Sequence, residues 1–115
     1  MGLDMWLESQ KSNKEGYWRK ANAIHQWFVH NAQDDNDDCK KYPVKQKKLE
    51  SLLSICKIIK ENPKMAKKLL PICQGFFFGG YDYDQYYYEC IDDTIKILEK
   101  ALKDKKKKFY YQSSW

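Results

Sequence analysis

Leu49-Glu50-Ser51-Leu52-Leu53-Ser54-Ile55-Cys56-Lys57-Ile58-Ile59 decides the fold, because its apolar residues recur at intervals of three and four. That spacing places Leu49, Leu52, Leu53, Cys56 and Ile59 on one face of a helix, with Ile55 and Ile58 widening the stripe. Asn62-Pro63 stops the helix, since proline cannot continue it and biases its predecessor toward extended backbone. Pro63 then suits the first turn of a shorter helix over 64–70, which Pro71 closes. Upstream, Tyr42-Pro43-Val44 can be only a short extended piece.

Outward from this helix the chain changes period. Leu3-Asp4-Met5-Trp6-Leu7-Glu8 alternates apolar and polar residues and reads as a strand. Ser12 and Glu15 have the spacing of a capping box, which predicts a helix from Gly16 or Tyr17 to Asn31 on the stripe Tyr17, Ala21, Ile24 and Phe28. The acidic run 34–38 ends that helix in a solvated loop. Toward the C-terminus, Gly75 to Gly80 reads as a Phe-rich strand, and Asp82 or Asp84 caps a helix reaching about Lys103 on Tyr87, Ile91, Thr94, Ile95, Leu98 and Leu102. Phe109 to Trp115, which ends on an aromatic, reads as a terminal strand that is tied down. The expected architecture is one α+β domain over 1–115: three main helices packed with a small sheet formed by the N-terminal, Phe-rich and C-terminal strands.

The 115-residue length suffices for a real core without staples. No apolar run has the length of a membrane span, and the N-terminus lacks a basic-then-apolar leader pattern, so a cytoplasmic protein is expected. Cys39, Cys56, Cys73 and Cys90 are spaced seventeen apart, yet their flanks differ and no CxxC pair occurs. They read as buried free thiols, with no metal or cofactor. Asp34, Asn36 and Asp38 resemble the start of a calcium loop, but Cys39 and Lys45 stand where that loop needs glycine and glutamate. His25 and His30 point away from each other on one helix and cannot share a metal. No glycine-rich phosphate loop or nucleophile signature is present, so an enzyme is not expected.

What remains is binding. Residues 76–88 hold eight aromatic rings between glycines and carboxylates, more than a small core can hide. The net charge of +5 concentrates in residues 45–72, where eight lysines face Glu50 and Glu61. Such a face is either a solvated helix surface or a seat for a phosphate or an acidic partner. Trp18, Asn22, His25 and Val29 form a second row along the expected first helix, beside Arg19.

Several segments resemble a family of small proteins of bacteriophages and prophages: Met1 to Met5, Tyr17-Trp18-Arg19-Lys20-Ala21-Asn22 with Ile24-His25 and Trp27-Phe28, Gly75 to Gly79, Tyr83-Asp84 with the tyrosines after it, and Tyr111 to Trp115. The resemblance spans nearly the whole chain and implies action inside an infected bacterial cell. Small phage proteins without enzyme motifs often counter host defence. The leading expectation is a homo-oligomer that sequesters a nucleotide-derived immune signal. Trp18, Phe76, Phe78 and Tyr81 would supply stacking faces, Asn22 and His25 hydrogen bonds to base or ribose, and Arg19 with Lys45, Lys47 and Lys48 the charge for phosphate. The alternative is an inhibitor that occludes a host defence protein, such as a nuclease, through an exposed aromatic patch. Nucleic acid ranks third, because carboxylates dilute the lysines near 105–111.

Overall fold

The computed structural model describes residues 3–10, 13–72 and 83–115. It is an α+β domain. In chain order come β1 (Asp4–Ser9), β2 (Lys14–Arg19), α1 (Asn22–Ala32), β3 (Tyr42–Val44), α2 (Gln46–Glu61), a 3-10 turn (Pro63–Met65), α3 (Ala66–Leu69), α4 (Gln85–Ala101) and β4 (Phe109–Ser114). The strands form one antiparallel sheet in the order β2-β1-β4-β3. The first and last strands therefore lie side by side, with Asp4 opposite Ser114 and Ser9 opposite Phe109.

Alternation along the strands separates two faces. Met5, Leu7, Trp18, Val44, Phe109, Tyr111 and Ser113 turn inward and are buried. The helices meet this inner side: Phe28 of α1 stacks on Tyr111 with centroids 3.9 Å apart, and Thr94 of α4 reaches Trp18. The long helices form as their stripes require. Leu49, Leu52, Cys56 and Ile59 of α2 are buried, whereas Ile58, expected to widen that stripe, is 48% exposed. Asp84 caps α4, its Oδ1 accepting the Tyr87 N–H at 3.0 Å, and the expected stripe from Tyr87 to Leu102 is buried.

The segment before α1 differs from the expected helix. Residues 14–19 form β2, paired with β1, and the helix begins only at Asn22. Glu15 lies in that strand instead of a capping box, and Tyr17 faces outward at 50% exposure instead of joining the core stripe. The reason is tertiary. Strand pairing with β1 buries Trp18 against α1 and α4, which one more helical turn would not do. Lys20 then takes a left-handed conformation (φ 56°) that ends the strand and turns the chain into α1. The expected Phe-rich strand lies outside the described residues, and the sheet positions seen beside the terminal strands are taken by β2 and β3.

At Gly16 the backbone of β2 comes close to α4. A Cβ there would stand 2.4 Å from Ile97 Cγ2 and 3.2 Å from two further atoms of the same side chain. Ile97 is β-branched and packed against the core, so it has little room to yield. Gly16→Ala should therefore lower stability by about 1–3 kcal/mol, through overpacking. Urea unfolding of the two proteins checks this; an unchanged midpoint would show that the strand and helix can separate freely.

Candidate functional site

The junction of β2 with α1 and the start of α4 enclose a cavity of about 230 Å³. Its wall is mainly apolar, with Ala23, Ile24, Leu70, Ile72 and Ile91 contributing, and polar groups stand at Lys20, Asn22, Asp84 and Tyr86. Two helix N-termini open toward it. That of α4 is capped by Asp84, while α1 has no side-chain cap at Ala21 and no acidic residue in its first turn. The N–H groups of a helix's first turn have no partner within the helix, and the macrodipole makes that end positive. Lys20 adds a full charge at the same point. The wall thus joins positive groups at the start of α1 to a carboxylate at the start of α4.

The tyrosines of α4 brace the cavity. The Tyr86 hydroxyl donates to the Arg19 carbonyl, tying the helix to the end of β2, and the Tyr87 hydroxyl donates to the Leu70 carbonyl at 2.7 Å. Burial, with smaller contributions from neighbouring groups, pushes the Tyr86 hydroxyl up to about 12 and that of Tyr87 further in the same direction. Both remain donors at neutral pH. Cys90, also in the wall, is pushed up to about 11, chiefly by desolvation, so its sulfur is a neutral packing group there. Cys56 is pushed up to about 12 for the same reason. A shallower groove of about 340 Å³ lies between Pro63, Lys64, Ala66, Lys67, Tyr83 and Tyr88, with the Lys67 ammonium 5.7 Å from the Tyr83 ring centroid.

The expected site residues are dispersed by this structure. Asn22 lines the cavity. Trp18 sits on a strand, 3% exposed, its indole N–H donating to Thr94 Oγ1 at 2.8 Å. Arg19 is exposed at the end of β2. Lys45 precedes α2 as its N-cap residue and Lys47 and Lys48 fall in its first turn, exposed and outside the cavity wall. Phe76, Phe78 and Tyr81 lie outside the described residues.

His25 is fully buried in a polar chain. Its Nε2 lies 2.9 Å from Asp37 Oδ1, and its Nδ1 lies 2.6 Å from the Tyr111 hydroxyl. The carboxylate accepts only, so Nε2 carries the proton and Nδ1 accepts from Tyr111. Asp37 Oδ1 also accepts the Trp115 indole N–H at 3.0 Å. The acidic loop is therefore partly structural: Asp37 anchors α1 and the C-terminal strand, and Asp38 accepts from the Tyr42 hydroxyl at 2.6 Å. Sequence spacing gave no sign of this pairing.

Among the described residues no group of three His, Cys, Asp or Glu side chains is placed to hold a metal ion, and no helix is long and apolar enough to cross a membrane. Compared with models of protein families, with curated proteins and with solved structures, the chain matches none.

Proposed function

We propose that this chain is a non-enzymatic binding protein that takes one unit of a nucleotide-derived small molecule into the cavity at the start of α1. The carrying observation is the wall itself, apolar over most of its area, with Lys20 and the uncapped α1 terminus on one side and Asp84 on another. An apolar pocket with a few convergent polar groups is the usual form of a small-molecule site. Here the flat part of a base fits the apolar wall, an exocyclic amine suits Asp84, and a phosphate suits Lys20. The volume of about 230 Å³ lies below the roughly 300 Å³ at which pockets for drug-sized ligands begin, so one cavity takes no more than one nucleotide unit. A dinucleotide signal would engage two copies of the chain, as a homo-oligomer. In the setting implied by the phage resemblance, such binding withholds an immune signal from a host defence effector in the infected cell.

A thermal-shift panel of mononucleotides, cyclic dinucleotides and cyclic ADP-ribose isomers tests the reading. A ligand at about 100 times its Kd adds roughly 2.7 kcal/mol of stability, a shift of several degrees for a domain this size. Ala23→Met, which places a longer side chain in the cavity wall, should keep a cooperative melt and lose the shift. Failure of every nucleotide to shift the wild-type protein would overturn the proposal and favour occlusion of a host protein.

A further inference from the structure

The outer face of the sheet presents aromatic side chains on three adjacent strands. Trp6 of β1 stands opposite Tyr17 of β2 on one side and Gln112 of β4 on the other. The Trp6 and Tyr17 rings have centroids 5.9 Å apart and are tilted by 43°. Tyr110 continues the face one residue pair along β4, opposite Glu8 and beside Pro43 of β3. Tyr17 is the most exposed large apolar side chain among the described residues, and Trp6 and Tyr110 are half-buried.

Cations frame this row. The register of β1 against β2 shifts between Leu7 and Glu8, so Lys14 pairs with Glu8. Such a bulge re-aims the side chains beyond it, and Lys14 accordingly swings its ammonium to 5.3 Å from the Trp6 ring centroid. Arg19 lies at the other end of β2, opposite Asp4. Both carboxylates of the face are engaged: Asp4 Oδ1 accepts the Tyr17 hydroxyl at 2.5 Å, and Glu8 Oε2 is 2.6 Å from Lys41 Nζ. Lys14 and Arg19 have no ion-pair partner among the described residues.

We propose that this open face binds single-stranded nucleic acid, with bases stacked on Trp6, Tyr17 and Tyr110 and the backbone held by Lys14 and Arg19. Rings offered edge by edge across neighbouring strands, with cations between and beside them, satisfy the two requirements of sequence-tolerant single-strand binding. The charges also argue against a protein partner. The centre of a protein interface is depleted of charged residues, whereas here Lys14 sits over the central ring. Charge complementarity with a polyanion, in a chain of net charge +5, selects the nucleic acid. The site is separate from the cavity at α1, and neither reading depends on the other.

Fluorescence anisotropy of the full chain with labelled oligouridylate and oligothymidylate at about 50 mM salt, with a duplex of equal length as control, tests the proposal. Single strands should bind more tightly than the duplex, with affinity falling as salt rises. Tyr17→Ala should weaken binding by about five- to a hundredfold, the loss of one stacked base. Tyr17→Phe, which keeps the ring and removes the bond to Asp4, should bind nearly as wild type. Because Tyr17 is half in solvent, both variants should fold, and their melts verify it. Ala23→Met should leave oligonucleotide affinity unchanged. Absence of binding at low salt, equal affinity for the duplex, or equal affinity of Tyr17→Ala would each overturn the proposal. So would light scattering showing a dimer that Tyr17→Ala dissociates, since the face would then be covered by a second copy.

Discussion

Trp18→Ala should destabilise the domain by about 3–5 kcal/mol, the cost of removing a large aromatic side chain from a packed interior. Domains of this size are stable by only about 5–15 kcal/mol, so the loss is a large fraction of the whole. The location explains the size. Trp18 is wedged between Phe28 of α1, centroids 5.8 Å apart, and Thr94 of α4, and so joins the sheet to two helices. Thr94 Oγ1 accepts from the indole and itself donates to the Cys90 carbonyl at 2.7 Å, which leaves it no proton for another acceptor. Trp18→Phe keeps a ring in place but strands the Thr94 oxygen, at a smaller cost of about 1–2 kcal/mol. Urea unfolding resolves the pair: the midpoint should fall strongly for alanine and modestly for phenylalanine, with the slope unchanged. A normal midpoint for Trp18→Ala would return this residue to the ligand-contact role that its sequence neighbours suggest.

His25→Ala should cost about 2–4 kcal/mol, because it leaves a cavity and a fully buried Tyr111 hydroxyl without its acceptor. The same residue sets a pH dependence. Desolvation lowers the His25 pKa from its ordinary 6.5, against the opposing pull of Asp37. Above the unfolded value both states hold a neutral imidazole and the contribution to stability is complete. As pH falls from about 6.5 toward the lower folded value, the unfolded chain takes up a proton that the native state refuses. Stability should decline across that window by at most about 1.4 kcal/mol per pH unit. Urea midpoints of the wild type and of His25→Ala between neutral and mildly acid pH test this directly. An equal decline in the variant would place the linkage elsewhere, for example in the carboxylates.

Local signals carried much of the fold. The stripe of α2, its stop at Asn62-Pro63, the Asp84 cap of α4 and the alternation of β1 all operate within a few residues, so periodicity and capping chemistry reveal them. The strand at residues 14–19 is hidden in the sequence because Tyr17, Ala21, Ile24 and Phe28 continue a helical spacing across a strand boundary. That boundary is set by Lys20 in a left-handed conformation, where a glycine or asparagine would have announced it. The site was less legible still. Asn22 lines the cavity together with Lys20, Asp84 and Tyr86, which come to it from elements joined only in three dimensions. By sequence alone His25 reads as a ligand group and Asp37 as a solvated acid, whereas the two are hydrogen-bonded to each other. Their pairing depends on how α1 lies against β4, which no spacing rule encodes.

The pairing of β1 with β4 has a kinetic consequence. Residues 4 and 114 are neighbours in the sheet, so the central strand pair closes almost the entire chain into one loop. Such high contact order slows folding, because the entropy of closure is spent before the contact rewards it. During synthesis β1, β2 and the helices leave the ribosome before the strand that completes the sheet. Until then Met5 and Leu7 lack a flanking strand, and Phe28 lacks the ring it stacks on. This domain should therefore reach its native state only once β4 has left the ribosome, and truncation before Phe109 should yield a chaperone-bound, protease-sensitive chain.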